Sequence, residues 1–462
     1  MLFNSLEYLF FLPIVLIADA LAGRRWRARR LLLLAASYVF YIAWNPPFVL
    51  LLIGSTLLDH WAARRIDATD ARRHRVAWLV ASVAGNLGVL GLFKYGDFFA
   101  SSLWGVLPTG TRYPGLLRDL VLPMGISFYT FQSMSYTIDV FRRARRPARS
   151  LLDLALYVAF FPQLVAGPIV RASEFLPQLE HPRRPTAEDR LAGLDPIFRG
   201  LAKKVILADT LGTYVDVVYA APQDFGAASH WFALYAYAFQ IYFDFSGYSD
   251  IAIGSARLLG FRIPVNFRLP YLAQGPADFW RRWHITLSTW LRDYLYLSLG
   301  GSRGSRLFTW RNLMITMLLG GLWHGAAWGF VIWGAYHGGW LVVHRALFRD
   351  RRLFTIPPWL SVLLTFHGVC LGWVFFRAGS LSDAAIVLRQ LGDFSKPLVG
   401  VEPQVLAALA LAFLSHGLGA SAALRDTWNG RAADLRGLGY AAIAAAAYLV
   451  GTESTRFIYF QF

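Results

Sequence analysis

Residues 278–339 decide the fold. They read DFWRRWHITLSTWLRDYLYLSLGG (278–301), then a basic turn SRGSRLFTWR (302–311), then NLMITMLLGGLWHGAAWGFVIWGAYHGG (312–339). An Arg- and Trp-rich amphipathic segment carrying His284 leads into a strongly apolar hairpin carrying His324. Each histidine follows a tryptophan, Trp283 and Trp323. An ionisable side chain inside an apolar span is a functional-site candidate by default.

The surroundings are apolar throughout. The chain has 462 residues, 56% of them hydrophobic and 16% charged, and a mean hydropathy of +0.42. Soluble domains carry about 25% charged residues. Several runs approach the roughly 20 residues needed to cross a bilayer, and they do not alternate as membrane β-strands do. The class expected is therefore an all-α polytopic membrane protein, read as a single integral-membrane domain over residues 1–462 without internal repeats.

The net charge of +17 would suggest nucleic acid in a soluble protein. Here the arginines sit in short clusters between apolar runs, as in cytoplasmic loops, with no separate basic face to read nucleic acid. Membrane lipid is the expected surrounding. Cys370 is the only cysteine, which excludes an internal disulfide or a Cys-rich metal site.

Taken in order, residues 3–22 read as a retained span, because no basic region precedes the apolar run as a signal peptide requires. RRWRARR (24–30) follows. Residues 31–44 and 48–63 make a helical hairpin broken at Asn45-Pro46-Pro47, closed by a basic loop at 64–75. Residues 76–99 and 120–141 cross again, joined by a less basic loop at 100–118 and ending at RRARRPAR (142–149). The positive-inside rule puts the three Arg clusters in the cytoplasm and the 100–118 loop outside. The 151–185 region carries Pro162, Gly167 and Pro168 between basic flanks and reads as a re-entrant or surface-lying element. Residues 197–220 and 231–256 pair at Ala221-Pro222-Gln223-Asp224, the second run carrying Asp244 and Asp250. Beyond the basic stretch from Arg345 to Arg352, residues 357–376, 402–420 and 436–451 are spans, and 381–394 is a short amphipathic surface helix. The expectation is about 11–12 transmembrane helices plus re-entrant or interfacial ones.

If 281–296 is a helix, Trp283, Leu287, Trp290 and Tyr294 share one face, and Arg281, His284, Ser288 and Arg292 another. The aromatic face would anchor the helix at the membrane interface. Around His324, Gly321, Gly325 and Gly329, then Gly334 and Gly338, repeat at the four-residue spacing that lets helix backbones approach. Such packing would hold His324 rigidly, and a neutral imidazole can take a proton from a hydroxyl near working pH. His337 and His344 have no Glu, Asp or Cys to complete a metal signature, so no metal is expected. Gly300-Gly301-Ser302-Arg303-Gly304 matches G-x-S-x-G only formally, since it lacks a strand–turn–helix setting. Direct transfer assisted by histidine is simpler than a covalent serine mechanism.

FDFSGYSDIAIG (243–254), FWRRWHITLSTWLRDYLYLSLGG (279–301), GLWHGAAWGFVIWGAYHG (321–338) and the terminal FIYFQF (457–462) resemble the membrane-bound O-acyltransferase superfamily, in its bacterial alginate O-acetyltransferase branch. FNSLEYLFFLPIVL (3–16), LVAGPIVRASEFLPQL (164–179) and WVFFRAGSLSDA (373–384) fit as well. The resemblance implies helices around a central funnel or tunnel, and acyl transfer to a hydroxyl. It implies that His324 is the catalytic base and His284 the second essential histidine. Arg281, Arg282, Trp283, Ser288, Arg292, Trp323 and Asn266 are candidate substrate contacts.

It further implies no tightly bound cofactor, a cytoplasmic donor such as acetyl-CoA or another acyl carrier, and location in the cell inner membrane. A periplasmic acetyltransferase partner would then place the group on a polysaccharide acceptor. Relatives of this kind acetylate alginate, cellulose or peptidoglycan, and another branch transfers D-alanine to teichoic acids. A non-enzymatic conduit for a polysaccharide or lipid-linked sugar is the competing class. It predicts inverted repeats or paired broken helices, which the sequence lacks.

Overall fold

The structure, a computed structural model, describes residues 1–106, 115, 117, 118, 120–350, 356–419, 421, 427 and 433–450. The terminal FIYFQF and most of the 107–118 portion of the expected outer loop lie outside the described residues. Every described regular element is a helix. The described residues divide into two compact units, one from 1–197 with 251–264, the other from 198–250 with residues from 265 on.

In the first unit, α1 (Leu6–Leu21) starts where the Ser5 side chain accepts from the Tyr8 N–H. It is followed by α2 (Trp26–Ile42) and α3 (Val49–Asp67). As the two prolines imply, a single 3-10 turn, Pro46–Phe48, separates α2 from α3. Then α4 (Arg72–Leu90) runs through a widened π-turn, Gly91–Tyr95, into α5 (Gly96–Val106). The expected 120–141 span becomes helical only at α6 (Ile126–Phe141), after Pro123 and after Gly125 at φ 73°. Asp59 of α3 lies fully buried and accepts from Ser82 at 2.5 Å, Asn86 at 3.0 Å and Thr137 at 3.4 Å, so α4 and α6 supply the donors a buried carboxylate needs. The 151–185 region forms no single crossing. It makes three short helices, α7 (Leu151–Ala159), α8 (Phe161–Leu164) and α9 (Ala172–Glu180), and residues 153–170 are buried throughout.

The chain then continues through α10 (Ala187–Leu201), a second π-turn at Ala202–Ala208, α11 (Asp209–Ala220) and the 32-residue α12 (Ala227–Leu258). The π-turn lets two adjacent lysines reach α12. Lys204 Nζ lies 2.6 Å from Asp244 and 2.8 Å from Asp209, and Lys203 Nζ lies 2.7 Å from Asp250, which Arg199 also meets at 2.9 Å. The two aspartates that stood out in an apolar run are thus neutralised locally, as buried charge requires.

The second unit continues with α13 (Pro276–Arg282), α14 (Ile285–Trp290), α15 (Arg306–His324), α16 (Trp328–His344), α17 (Pro358–Arg377), α18 (Leu381–Gln390), α19 (Pro403–Leu418) and α20 (Ala433–Val450). By length and composition, two helical stretches among the described residues suffice to cross a membrane, Arg72–Gly105 and Pro358–Arg377, and Pro403–Leu418 is apolar but shorter.

The continuous helix expected over 281–296 does not form. Trp283 is extended, at ψ 129°, and His284 is left-handed, at φ 39° and ψ 56°. The glycine spacing is also only partly helical. α15 ends at His324, and Gly325 is extended, so Gly325 and Gly329 do not continue the Gly321 face. The contact that does form joins Gly321 to Gly334. A methyl on Gly321 would collide with the Phe330 carbonyl and lie 3.1 Å from the Gly334 Cα. A methyl on Gly334 would collide with the Met317 carbonyl and lie 3.1 Å from the Leu318 Cα.

Gly334→Ala is accordingly expected to destabilise the protein by about 1–3 kcal/mol through overpacking. Gly88→Ala in α4, where an added methyl meets nothing within 4 Å, should be neutral or slightly stabilising. Thermal unfolding of the two variants in detergent, against the parent, checks the contrast.

Candidate active site

A cavity of about 780 Å³ lies among α13 to α16. Its lining includes Arg281, Arg282, Ser288, Arg292 and Arg345 together with Leu287, Leu291, Met317, Gly320, Trp333 and His324. The side chains of Arg281 and Arg292 are 71% and 60% exposed, whereas His324 is 4% and Trp333 1% exposed. The cavity therefore grades from solvated guanidiniums to a buried imidazole.

The basic end is held by two carboxylates. Asp278 opens α13, accepts from the Gln274 N–H at 3.1 Å, and pairs with Arg281 at 3.3 Å and Arg282 at 3.1 Å. Burial alone would raise the Asp278 carboxyl, but the Arg282 hydrogen bond, the Gln274 N–H and the two arginine charges outweigh it, and it stays below the ordinary carboxylate range. Arg292 pairs with its neighbour Asp293 at 2.6 Å. A guanidinium has five N–H donors, so each arginine retains donors for an anionic ligand.

His324 ends α15, one turn beyond Gly320 on the same helical face. Its imidazole meets the rings of Trp323, Trp333 and Phe376 edge to face, at centroid distances of 5.1, 5.0 and 5.2 Å. His284 approaches it to 6.4 Å between ring centroids. The structure thus brings the two histidines together, from segments far apart in sequence.

His284 does not share the polar face expected of it. It is fully buried, packs edge-on against Phe245 at 4.6 Å, and is not among the cavity-lining residues. Asn266 explains the turn that puts it there. The Asn266 carbonyl accepts from the Ile285 N–H at 2.9 Å, and its Oδ1 accepts from the Thr286 N–H at 3.3 Å and the Thr286 hydroxyl at 2.7 Å. The Arg268 N–H donates to the Arg282 carbonyl at 2.9 Å on the other side of the bend. The first N–H groups of α14 are satisfied from outside, so the chain need not stay helical through His284.

Of the other candidates, Ser288 lines the cavity and donates to the Trp283 carbonyl at 3.1 Å. Trp283 and Trp323 lie elsewhere. Trp283 is fully buried between Phe279 and Trp373, and Trp323 packs on both histidines. Trp333 and Phe376 come from α16 and α17, and nothing in their local sequence marks them as neighbours of His324. Gly320, one of the glycines around His324 in the sequence, lines the cavity as well.

The cavity thus runs from an exposed basic end through an apolar depth to a buried imidazole, an arrangement compatible with group transfer. The sequence profile of the membrane-bound O-acyltransferase family matches residues 59–377, and the chain belongs to that family. It is 45% identical over 426 residues to the "Probable alginate O-acetylase AlgI" of Pseudomonas aeruginosa, covering 89% of this chain and 81% of the relative. The Azotobacter vinelandii protein of the same name is 46% identical over 386 residues, 83% of this chain and 76% of the relative. The "Peptidoglycan O-acetyltransferase" of Helicobacter pylori is 39% identical over 391 residues, 78% of this chain and 73% of the relative. The chain is thus an O-acyltransferase.

Asn266→Ala removes the acceptor for both Thr286 donors and should lower acyl transfer per folded molecule by about 5- to 150-fold, a buried hydrogen-bond loss of about 1–3 kcal/mol felt at His284. Thr286→Val keeps the backbone contacts and should cost less. Rates normalised to folded protein, measured by size-exclusion chromatography, test the order.

Proposed function

We propose that the chain is a multi-pass protein of the bacterial inner membrane. It takes an acetyl group from a cytoplasmic thioester and passes it across for O-acetylation of an extracytoplasmic, alginate-like polysaccharide. The observation that carries this reading is the buried His324 at the far end of a cavity that begins at exposed arginines. The names of the alginate relatives support the acceptor class, and that of the peptidoglycan relative keeps it among cell-envelope glycans.

In this reading Arg281, Arg282 and Arg292 hold the anionic part of acetyl-CoA or another acyl carrier, since guanidinium forks suit phosphate oxygens. The thioester carbonyl lies beside His324. The acceptor hydroxyl oxygen bonds to the carbonyl carbon while His324 takes the hydroxyl proton. The C–S bond then breaks, and the leaving thiolate takes the proton back from the imidazolium. His284, buried behind the cavity lining, assists His324 from 6.4 Å between ring centroids. Aromatic rings around the imidazole exclude water that would hydrolyse the thioester. An extracytoplasmic acetyltransferase partner receives the group and delivers it to the polymer.

His324→Ala should reduce acetyl transfer by roughly 10²–10⁴-fold or more, as loss of a general base does, while the protein still inserts and accumulates. Near-normal polymer acetylation in that variant would sink the assignment. For topology, single cysteines introduced into a Cys370→Ser background should be shielded from an impermeant thiol reagent in intact cells at residues 27, 70 and 145, following the arginine distribution. Labelling of residue 145 from outside would refute the orientation.

A further inference from the structure

We propose that Trp333, backed by Phe376 and faced by Gly320, limits the transferred acyl group to about two carbons. The inference rests on His324 being the reacting centre. It adds what the histidine alone does not determine, which is the length of the group it can handle.

The argument begins with direction. A donor held by its anionic end at Arg281 and Arg292 presents its sulfur toward the depth of the cavity and its carbonyl beside His324. The rest of the acyl chain must then extend past His324, away from the arginines. What it meets there is an aromatic wall. Trp333 lines the cavity and stands 5.0 Å from the His324 ring. Phe376 stands 5.2 Å from the same ring and 5.4 Å from Trp333.

This wall cannot retreat. Trp373 stacks on Trp333 at 5.9 Å, is itself fully buried, and rests on Trp283 at 5.0 Å. Trp280 meets Trp333 edge-on at 5.6 Å, and Phe330 closes on Phe376 at 4.9 Å. The residue after Trp333 is Gly334, whose backbone lies against that of Met317 and Leu318, so α16 cannot rotate the indole away. Cores of this kind repack at a cost even for one methylene.

The opposite side is as close. Gly320 lines the cavity one turn before His324, and a methyl added there would lie 3.2 Å from Leu291 Cδ1, its single neighbour within 4 Å. Glycine therefore leaves room for about one methyl between α15 and Leu291, one turn before the imidazole, in the cavity that Trp333 also lines. An acetyl methyl fits such a space, and a longer chain must displace an indole held on three sides. One methylene in an apolar pocket is discriminated by about 10–200-fold.

The test supplies membrane vesicles containing the full-length protein with equimolar acetyl-, propionyl- and butyryl-CoA, and measures the acyl esters released from polymer by alkali. A ratio of products from one mixture does not depend on how much protein is folded. The parent should favour acetyl over butyryl esters at least tenfold. Trp333→Leu should lower that ratio at least tenfold, and Phe376→Leu should lower it less. Gly320→Ala should shift the acetyl-to-propionyl ratio the other way. If Trp333→Leu yields no ester at all, Phe376→Leu and Gly320→Ala decide. Ratios within twofold of the parent in every productive variant, with His324→Ala inactive, would overturn the inference and leave the catalytic assignment standing. Esters formed normally by His324→Ala would overturn both.

Discussion

At Gly321 and Gly334, α15 and α16 meet with no side chain between them. In lipid there is little hydrophobic drive to bring helices together, so close van der Waals contact between backbones must supply the adhesion. That contact has a second consequence. Neither helix can slide or turn without main-chain collision, so residues next to the contact inherit fixed positions. His324 lies three residues beyond Gly321, and Trp333 immediately precedes Gly334. One lock thereby positions the imidazole and the ring that faces it, and the turn at residues 325–327 has only to close a hairpin already aligned.

Charge is handled in two different ways. Deep charges are neutralised on the spot: Lys204 between Asp244 and Asp209, Lys203 with Asp250, Asp59 among hydroxyl and amide donors. Leaving any of them unpaired would cost several kcal/mol. The arginines of the cavity are different. Arg281 and Arg292 are largely exposed, pair with Asp278 and Asp293, and have more N–H donors than these pairs use. A buried pair is spent on holding helices together, while a solvated guanidinium remains available for a ligand. The site needs the second kind at its entrance and, around His324, neither kind.

The sequence disclosed the all-helical class through apolar runs that do not alternate, and the break between α2 and α3 through Asn45-Pro46-Pro47. It singled out His284 and His324, which the structure brings to 6.4 Å between ring centroids. It misread the segment joining them. A helical wheel puts His284 beside Arg281 and Arg292, and nothing local forbids that. The left-handed turn at His284 exists because Asn266 offers its carbonyl and Oδ1 to the N–H groups of Ile285 and Thr286, a tertiary interaction invisible to periodicity. The same limit hid the aromatic wall. Trp333 and Phe376 look like ordinary span residues until α16 and α17 are packed against the end of α15.

That bend also separates the electrostatic settings of the two histidines. His324 is the last residue of a 19-residue helix, at the end that carries the helix's partial negative charge. His284 precedes Ile285 at the opposite kind of end, where N–H groups carry partial positive charge. Such helix-end effects amount to about 0.3–2 kcal/mol, depending on burial. In the proposed mechanism the sign matters more than the size. Proton uptake by His324 creates a cation where the helix end favours one, within aromatic edges that offer no water to share it. An unbroken helix over 281–296 would remove that asymmetry, leaving His284 in mid-helix and on the exposed arginine face. The strained turn therefore does more than bring a second imidazole near the first: it sets the two rings at helix ends of opposite polarity, so that in the proposed mechanism they are not interchangeable.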